Sequence, residues 1–171
     1  GAQPKINTDK NPFRLDHYIC YCSLELFKGG MDMSADITSI ARDFFEACET
    51  GKGWEGCKDY CQDGATFSCQ ADALAEITSV EGYTEWMMGL LTLTPDGHYD
   101  LKSFATDTQN DRVCAFAVFH GTHTGEGGPV PPTGKKVAAD YVYDMEFSDG
   151  RISKMTKIWN DGWSLRQLGW A

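Results

Sequence analysis

Basic residues are scarce: 15 Lys and Arg stand against 25 Asp and Glu, a formal net charge of −10. Such a chain has little to offer a phosphate backbone or an anionic lipid surface, so no nucleic-acid partner and no membrane partner is expected. No apolar run approaches the roughly 20 residues that cross a bilayer. The longest near the start, residues 18–27, is well short of that, and no basic segment leads into it as in a secretory leader. A cytoplasmic location is expected, with export left open. Low-complexity tracts are absent too, and at 42% hydrophobic and 23% charged residues the composition is that of an ordinary globular protein. There is no phosphate-cradling glycine loop, no HExxH pair and no Ser-His-Asp order.

Cysteine, by contrast, is plentiful. Seven residues cannot all pair within one chain, and several fall where helix or strand patterns want a small apolar side chain. They read as reduced core thiols of a protein kept in a reducing compartment. Cys57 and Cys61 share a helical face, but no second close Cys or His pair completes a zinc set. No metal and no cofactor are assigned.

The 171 residues are about one domain's worth. Residues 1–30 read as an extension or arm ahead of the Gly29-Gly30 break, and residues 31–171 as a single domain. From Ser34 the apolar positions Ile37, Ile40, Ala41, Phe44, Phe45 and Cys48 recur at helical spacing until Gly51. Trp54, Cys57 and Cys61 suggest a short second helix, and residues 65–69 a first strand. Ser79 can cap a third helix carrying Val80, Tyr83, Met87, Leu90 and Leu91 on one face. After Gly97 the pattern changes to strands, at about 98–106, 112–124, 135–147 and 151–160. Helices first and then antiparallel strands indicate an α+β domain with its helices on one face of a curved sheet.

The last hairpin allows two registers: a two-residue turn at Asp149-Gly150, or a three-residue loop, Ser148 to Gly150. The three-residue loop is preferred. It sets Tyr143 opposite Met155, Tyr141 opposite Lys157 and Ala139 opposite Trp159. One face then carries Tyr141, Tyr143, Met145, Phe147, Met155, Lys157 and Trp159 and should point inward. The other carries Asp140, Asp144, Glu146, Lys154 and Thr156 with Val142 and Ile158, and should meet water or a second subunit.

Lys157 is the anomaly of the inward face, because an ammonium taken out of water costs several kcal/mol unless paired or deprotonated. Either it snorkels to the rim, or its amine reaches a cavity, holding an anionic or enolate oxygen or acting as a base of lowered pKa. Tyr141 and Tyr143 stand beside it as hydrogen-bonding candidates. His120 and His123 flank Gly121-Thr122 at odd spacing, so only one can point inward. The run from Val113 to Phe119 is apolar on both parities and does not say which. Lys157, Tyr143 and His120 are the catalytic candidates; Tyr141, Met155, Trp159, Phe67, Trp86 and His123 are the candidates to line a substrate pocket.

The stretch HGTHTGEGGPVPPTGKKV, a DGRI turn after a strand and a terminal LRQLG resemble the C-terminal half of the SnoaL-like polyketide cyclases, in the nuclear transport factor two-like superfamily. The likeness is strong over residues 120–169, weaker over the helical half from Ser34 and absent before Gly30. It implies a cystatin-like cone: a curved antiparallel or mixed sheet wrapped around about three N-terminal helices. It also implies a hydrophobic pocket inside the cone for a small hydrophobic ligand and a homodimer through the sheet's outer face. Those cyclases close a ring by an intramolecular aldol step, with a pocket carboxylate and a nearby histidine and without cofactor. Aligned on the DG turn and LRQLG, the carboxylate's position is Lys157 here and the histidine's is Tyr143.

Two functions follow from the resemblance. One is a cofactor-free cyclase or isomerase acting by acid-base chemistry on an oxygenated, polyketide- or steroid-like molecule. The other is a non-catalytic ligand-binding or dimerisation module on the same scaffold.

Overall fold

The computed structural model describes residues 33–171; the expected arm at residues 1–30 lies outside them. Helix α1 runs Met33–Glu49 and buries Ile37, Ala41, Phe44, Phe45 and Cys48, the one-sided stripe its spacing requires. It stops where Gly51 takes φ +73°. There Gly51 N–H reaches the Cys48 carbonyl and Lys52 N–H the Ala47 carbonyl, the paired bonds that close a helix on a left-handed residue. A five-residue α2, Gly53–Cys57, and a 3-10 turn, Lys58–Tyr60, lead into strand β1, Cys61–Cys69. Helix α3, Val80–Leu93, is capped by Ser79, whose hydroxyl accepts from Gly82 N–H.

Four strands follow: β2 His98–Asp107, β3 Arg112–Thr122, β4 Lys136–Ser148 and β5 Arg151–Trp159. A last helix, α4 Asp161–Leu168, had no counterpart in the sequence reading. The sheet order is β1-β5-β4-β3-β2, antiparallel except where β1 runs parallel to β5. This is the expected mixed sheet with helices on its concave side. Among the described residues no helix is long and apolar enough to cross a membrane.

The parity that the sequence left open in β3 is settled by burial. Val113, Ala115, Ala117 and Phe119 face the core, with Val137, Ala139, Tyr141, Tyr143, Met145 and Phe147 of β4. Cys48, Cys57 and Cys61 are buried thiols, and all five described cysteines are free of disulfides.

The last hairpin takes neither register as foreseen. Asp149 and Gly150, at φ 50° and 72°, make the two-residue turn with Ser148 opposite Arg151, and Phe147 lies opposite Ile152. The pairing then skips Ser153, so that Glu146 meets Lys154, Met145 meets Met155, Tyr143 meets Lys157 and Tyr141 meets Trp159. That bulge decides the orientation of everything after it. Continued without it, the tight turn would set Lys157 against Val142 on the outer face. With it, Lys157 points inward, two residues along from the pairing that the three-residue loop would have given.

Candidate active site

Five polar side chains from four elements meet under the concave sheet: Glu49 at the end of α1, Tyr83 on α3, Tyr141 and Tyr143 on β4, and Lys157 on β5. The two β4 rings have room because their β3 neighbours are Ala117 and Ala115. All five are buried, Lys157 to 6% exposure and Glu49 to 2%. Lys157 Nζ donates to Tyr83 Oη at 2.8 Å. Tyr83 and Tyr143 hydroxyls are bonded at 2.5 Å. Tyr143 donates to Glu49 Oε1, and Tyr141 donates to Glu49 Oε2 at 2.5 Å.

Proton counting fixes the direction of this chain. A phenol has one hydrogen to give. Tyr143 gives its hydrogen to Glu49, so it accepts from Tyr83, which in turn accepts from Lys157. The result is a directed line from an amine to a carboxylate, each member donating to the next.

The electrostatics follow from burial. Desolvation holds the Lys157 amine down at about 8 against an ordinary 10.5, with Glu49 opposing the fall. Desolvation also raises Glu49 above the usual carboxylate range, opposed by Lys157 and by the two tyrosine bonds. The Tyr83, Tyr141 and Tyr143 hydroxyls are pushed up, first by burial and then by the negative charge of Glu49, so all three stay protonated donors. Lys157 Nζ also lies among five aromatic rings, 4.6 Å from the centroid of Trp159, 5.1 Å from Tyr83, 5.2 Å from Tyr141, 5.3 Å from Trp86 and 5.9 Å from Tyr143. Ring quadrupoles return part of the hydration an ammonium loses on burial.

A cleft opens onto this cluster, lined by Glu49, Tyr141 and Lys157 at its polar end and by Trp86, Trp159, Leu165 and Trp170 among its apolar walls. It encloses about 30 Å³, within about 470 Å³ when space open to solvent is included. The enclosed part holds one or two waters. A narrow cleft walled by the protein's own rings thus stands where the resemblance implies a hydrophobic pocket.

Of the sequence candidates, Lys157, Tyr141, Trp86 and Trp159 line the cleft, and Tyr143 sits directly behind them. Phe67 stacks on Tyr83 at 4.5 Å and lies opposite Met155 on β5; both are core residues that back the cluster. His120 is not brought to it. The even parity of β3 puts His120 on the outer face, stacked on His98 at 5.2 Å. His123 does point inward and is fully buried, but it touches the cleft only through Trp170, whose indole N–H donates to its Nδ1 at 2.9 Å. Thr133 N–H reaches the same nitrogen at 3.3 Å, so Nδ1 is an acceptor, while Nε2 is buried without a hydrogen-bond partner among the described residues. His123 therefore positions the Trp170 wall. Asp161 accepts from the backbone N–H groups of Ala73 and Gly162, and the cap of α4 is Asn160.

Glu49 and Tyr83 were missed as site residues. For Glu49 a signal existed. It continues the buried row Ile37, Ala41, Phe45 by one more step of four, and a carboxylate there opposes the negative C-terminal end of the helix dipole.

A family model described as SnoaL-like polyketide cyclase matches residues 39–168. AclR, a proposed hydroxylase from Streptomyces galilaeus, is 22% identical, with a TM-score of 0.65 over 81% of this chain and 87% of that one. IdmH, a proposed polyketide cyclase from Streptomyces antibioticus, is 23% identical, with a TM-score of 0.62 over 78% and 98%. A proposed SnoaL-like polyketide cyclase from Jannaschia sp. CCS1 is 15% identical, with a TM-score of 0.65 over 80% and 94%. At these identities the structures attest the shared fold. Comparison with curated proteins finds no match.

Proposed function

The chain belongs to the SnoaL-like polyketide cyclase family, and on that premise we propose that it moves protons on a small carbonyl compound, as an aldol cyclase or isomerase whose acid and base are its own side chains. The observation that carries this reading is the directed line of hydrogen bonds from Lys157 through Tyr83 and Tyr143 to Glu49, ending at an apolar cleft. The carboxylate absent from the position the resemblance aligns with Lys157 is supplied from α1 by Glu49. A carboxylate raised by burial is a stronger base than one in water and can take a proton from carbon next to a carbonyl. The Lys157 amine stands where it can receive the negative charge that gathers on the carbonyl oxygen. The wider part of the cleft, walled by Trp86, Trp159 and Trp170, takes the apolar body of the ligand.

The test is deuterium exchange at the methyl group of acetophenone in heavy water, followed by proton NMR. Wild-type protein should speed the exchange over buffer, and Glu49→Gln should not. No acceleration by wild type, with acetophenone still quenching tryptophan emission, returns the protein to the reading of a non-catalytic binder.

We also propose a homodimer through the outer sheet face. The register sets Phe116, Val142 and Ile158 side by side across β3, β4 and β5. Phe116 is 36% and Ile158 63% exposed. A row of apolar side chains across the middle of a sheet, flanked by Asp144, Glu146, Arg112 and Lys154, suits a self-complementary contact. Ile158→Asp should weaken association at least about tenfold in sedimentation without lowering monomer stability, since a charge here faces its own image across a two-fold axis. An unchanged sedimentation profile would move the interface elsewhere.

A further inference from the structure

The surroundings of Lys157 satisfy an ammonium only in part and bring its neutral amine within reach near neutral pH. An ammonium has three hydrogens to donate, and among the described residues Lys157 uses one, toward Tyr83. No carboxylate there pairs with it directly. The groups facing it are Glu49 and the Cys48 thiol from α1, Cys69 from β1, Tyr83 from α3, and Tyr141 and Tyr143 from β4. Among them Glu49 is the foremost in opposing the fall of the amine. The hydrogen-bond line gives the surplus proton a route out. Glu49 takes the proton of Tyr143, Tyr143 that of Tyr83, and Tyr83 that of Lys157. The buried unit has zero net charge before and after, so no charge is created in the low-dielectric interior.

We infer that Lys157 is a covalent site, its amine condensing with a ketone or aldehyde carbonyl at the inner end of the cleft to form an imine. This rests on the proton-relay reading and deepens it. The amine nitrogen attacks the carbonyl carbon, a C–N bond forms, and the carbonyl electron pair goes to oxygen. The two amine hydrogens leave with that oxygen as water when the C–O bond breaks. One further proton, returned along the line from Glu49, makes the iminium, and the Glu49 carboxylate then takes an α-proton to leave an enamine. The enamine carbon attacks a second carbonyl of the same ligand, a C–C bond closes the ring, and the second carbonyl's oxygen takes the proton held by Glu49. Water then hydrolyses the regenerated iminium to a ketone and the free amine, its surplus proton going to the Glu49 carboxylate. Nothing is oxidised or reduced. The cleft suits such a step, for Lys157 and Glu49 both line it and its apolar walls open to solvent, where the rest of the ligand can lie. With the amine at about 8 and not 10.5, Lys157 offers about 300-fold more free base at pH 7 than an ordinary lysine.

The probe is 2,4-pentanedione, which condenses with a free amine to an absorbing enaminone and water. Wild type and Lys157→Met, both checked for folding by circular dichroism and thermal melting, are incubated at pH 7 and mapped by peptide mass spectrometry. The expected result is one adduct per chain, of the mass of the diketone less water, on the peptide containing Lys157. It should form at least about 100-fold faster than at any other lysine and be absent from Lys157→Met. Labelling spread evenly over surface lysines, or none at Lys157, overturns the inference. The acetophenone exchange on the same sample separates the two readings: exchange without an adduct overturns only the covalent step, and loss of both overturns the relay as well.

Discussion

Glu49→Gln should lower turnover by about two to four orders of magnitude, the usual worth of a positioned acid or base, while the fold is kept. Glutamine preserves the shape and the bond from Tyr143, which its carbonyl can accept, while its amide donates to Tyr141 in a bond of reversed direction. What it removes is the proton acceptor at the end of the line. The effect on stability has a definite sign. The folded carboxyl titrates above its unfolded value of 4.5, so the stability it contributes is fully present below that pH and is lost as the pH rises through its folded value. The variant should therefore be as stable as wild type in acid and more stable near neutrality. Denaturant melts at pH 4 and pH 7, alongside the acetophenone exchange, check both halves. A variant that unfolds, or one that still exchanges at the wild-type rate, would make Glu49 a structural acid.

Lys157→Met should do the reverse of most buried substitutions and stabilise the protein at neutral pH. The amine falls from 10.5 to about 8 on folding, a difference of 2.5 pH units, which corresponds to about 3 kcal/mol. For a base of lowered pKa, stability is complete above the unfolded value and is lost as the pH drops through the folded one. Wild type thus carries the penalty below pH 8 and sheds it between pH 8 and 10.5. Methionine has nearly the same length and no charge, so the variant should lead by up to about 3 kcal/mol at pH 7, and the lead should shrink toward pH 10. Catalysis and diketone labelling should both be lost. A variant less stable at pH 7 would show Lys157 to be half of a stabilising ion pair.

Much of this architecture was legible in the chain. The helical repeat from Ile37 to Cys48, the Ser79 cap and the strand runs after Gly97 locate the elements, because each is written in local periodicity and turn chemistry. Strand parity was legible for β4 and β5, where aromatic and charged residues alternate, so Tyr141, Tyr143 and Lys157 were sorted to the correct face. Residue pairing was not, since the bulge at Ser153 leaves no mark in a single sequence: skipping it and lengthening the turn preserve the same alternation. β3 hid its parity because Cys114, Phe116 and Val118 are apolar on the outer face as well, and that is why His120 could stand as a candidate. Glu49 was obscured by its position at a helix end, where acidic residues are ordinarily exposed. Its partnership with Tyr141 and Tyr143 spans more than ninety positions of chain, a distance at which no spacing rule applies.

The rings crowded around Lys157 give the protein its own optical indicator. Trp159 and Trp86 sit 4.6 and 5.3 Å from the amine, near enough for a unit charge to shift the energy of an indole excited state. Each time Lys157 gains or loses its proton, or exchanges its charge for a bond to carbon, the field across two chromophores changes while neither has to move. The emission of these two of the chain's five tryptophans should therefore respond to the chemical state of one buried nitrogen, and a change in emission between pH 7 and pH 10 that is absent from Lys157→Met would show it.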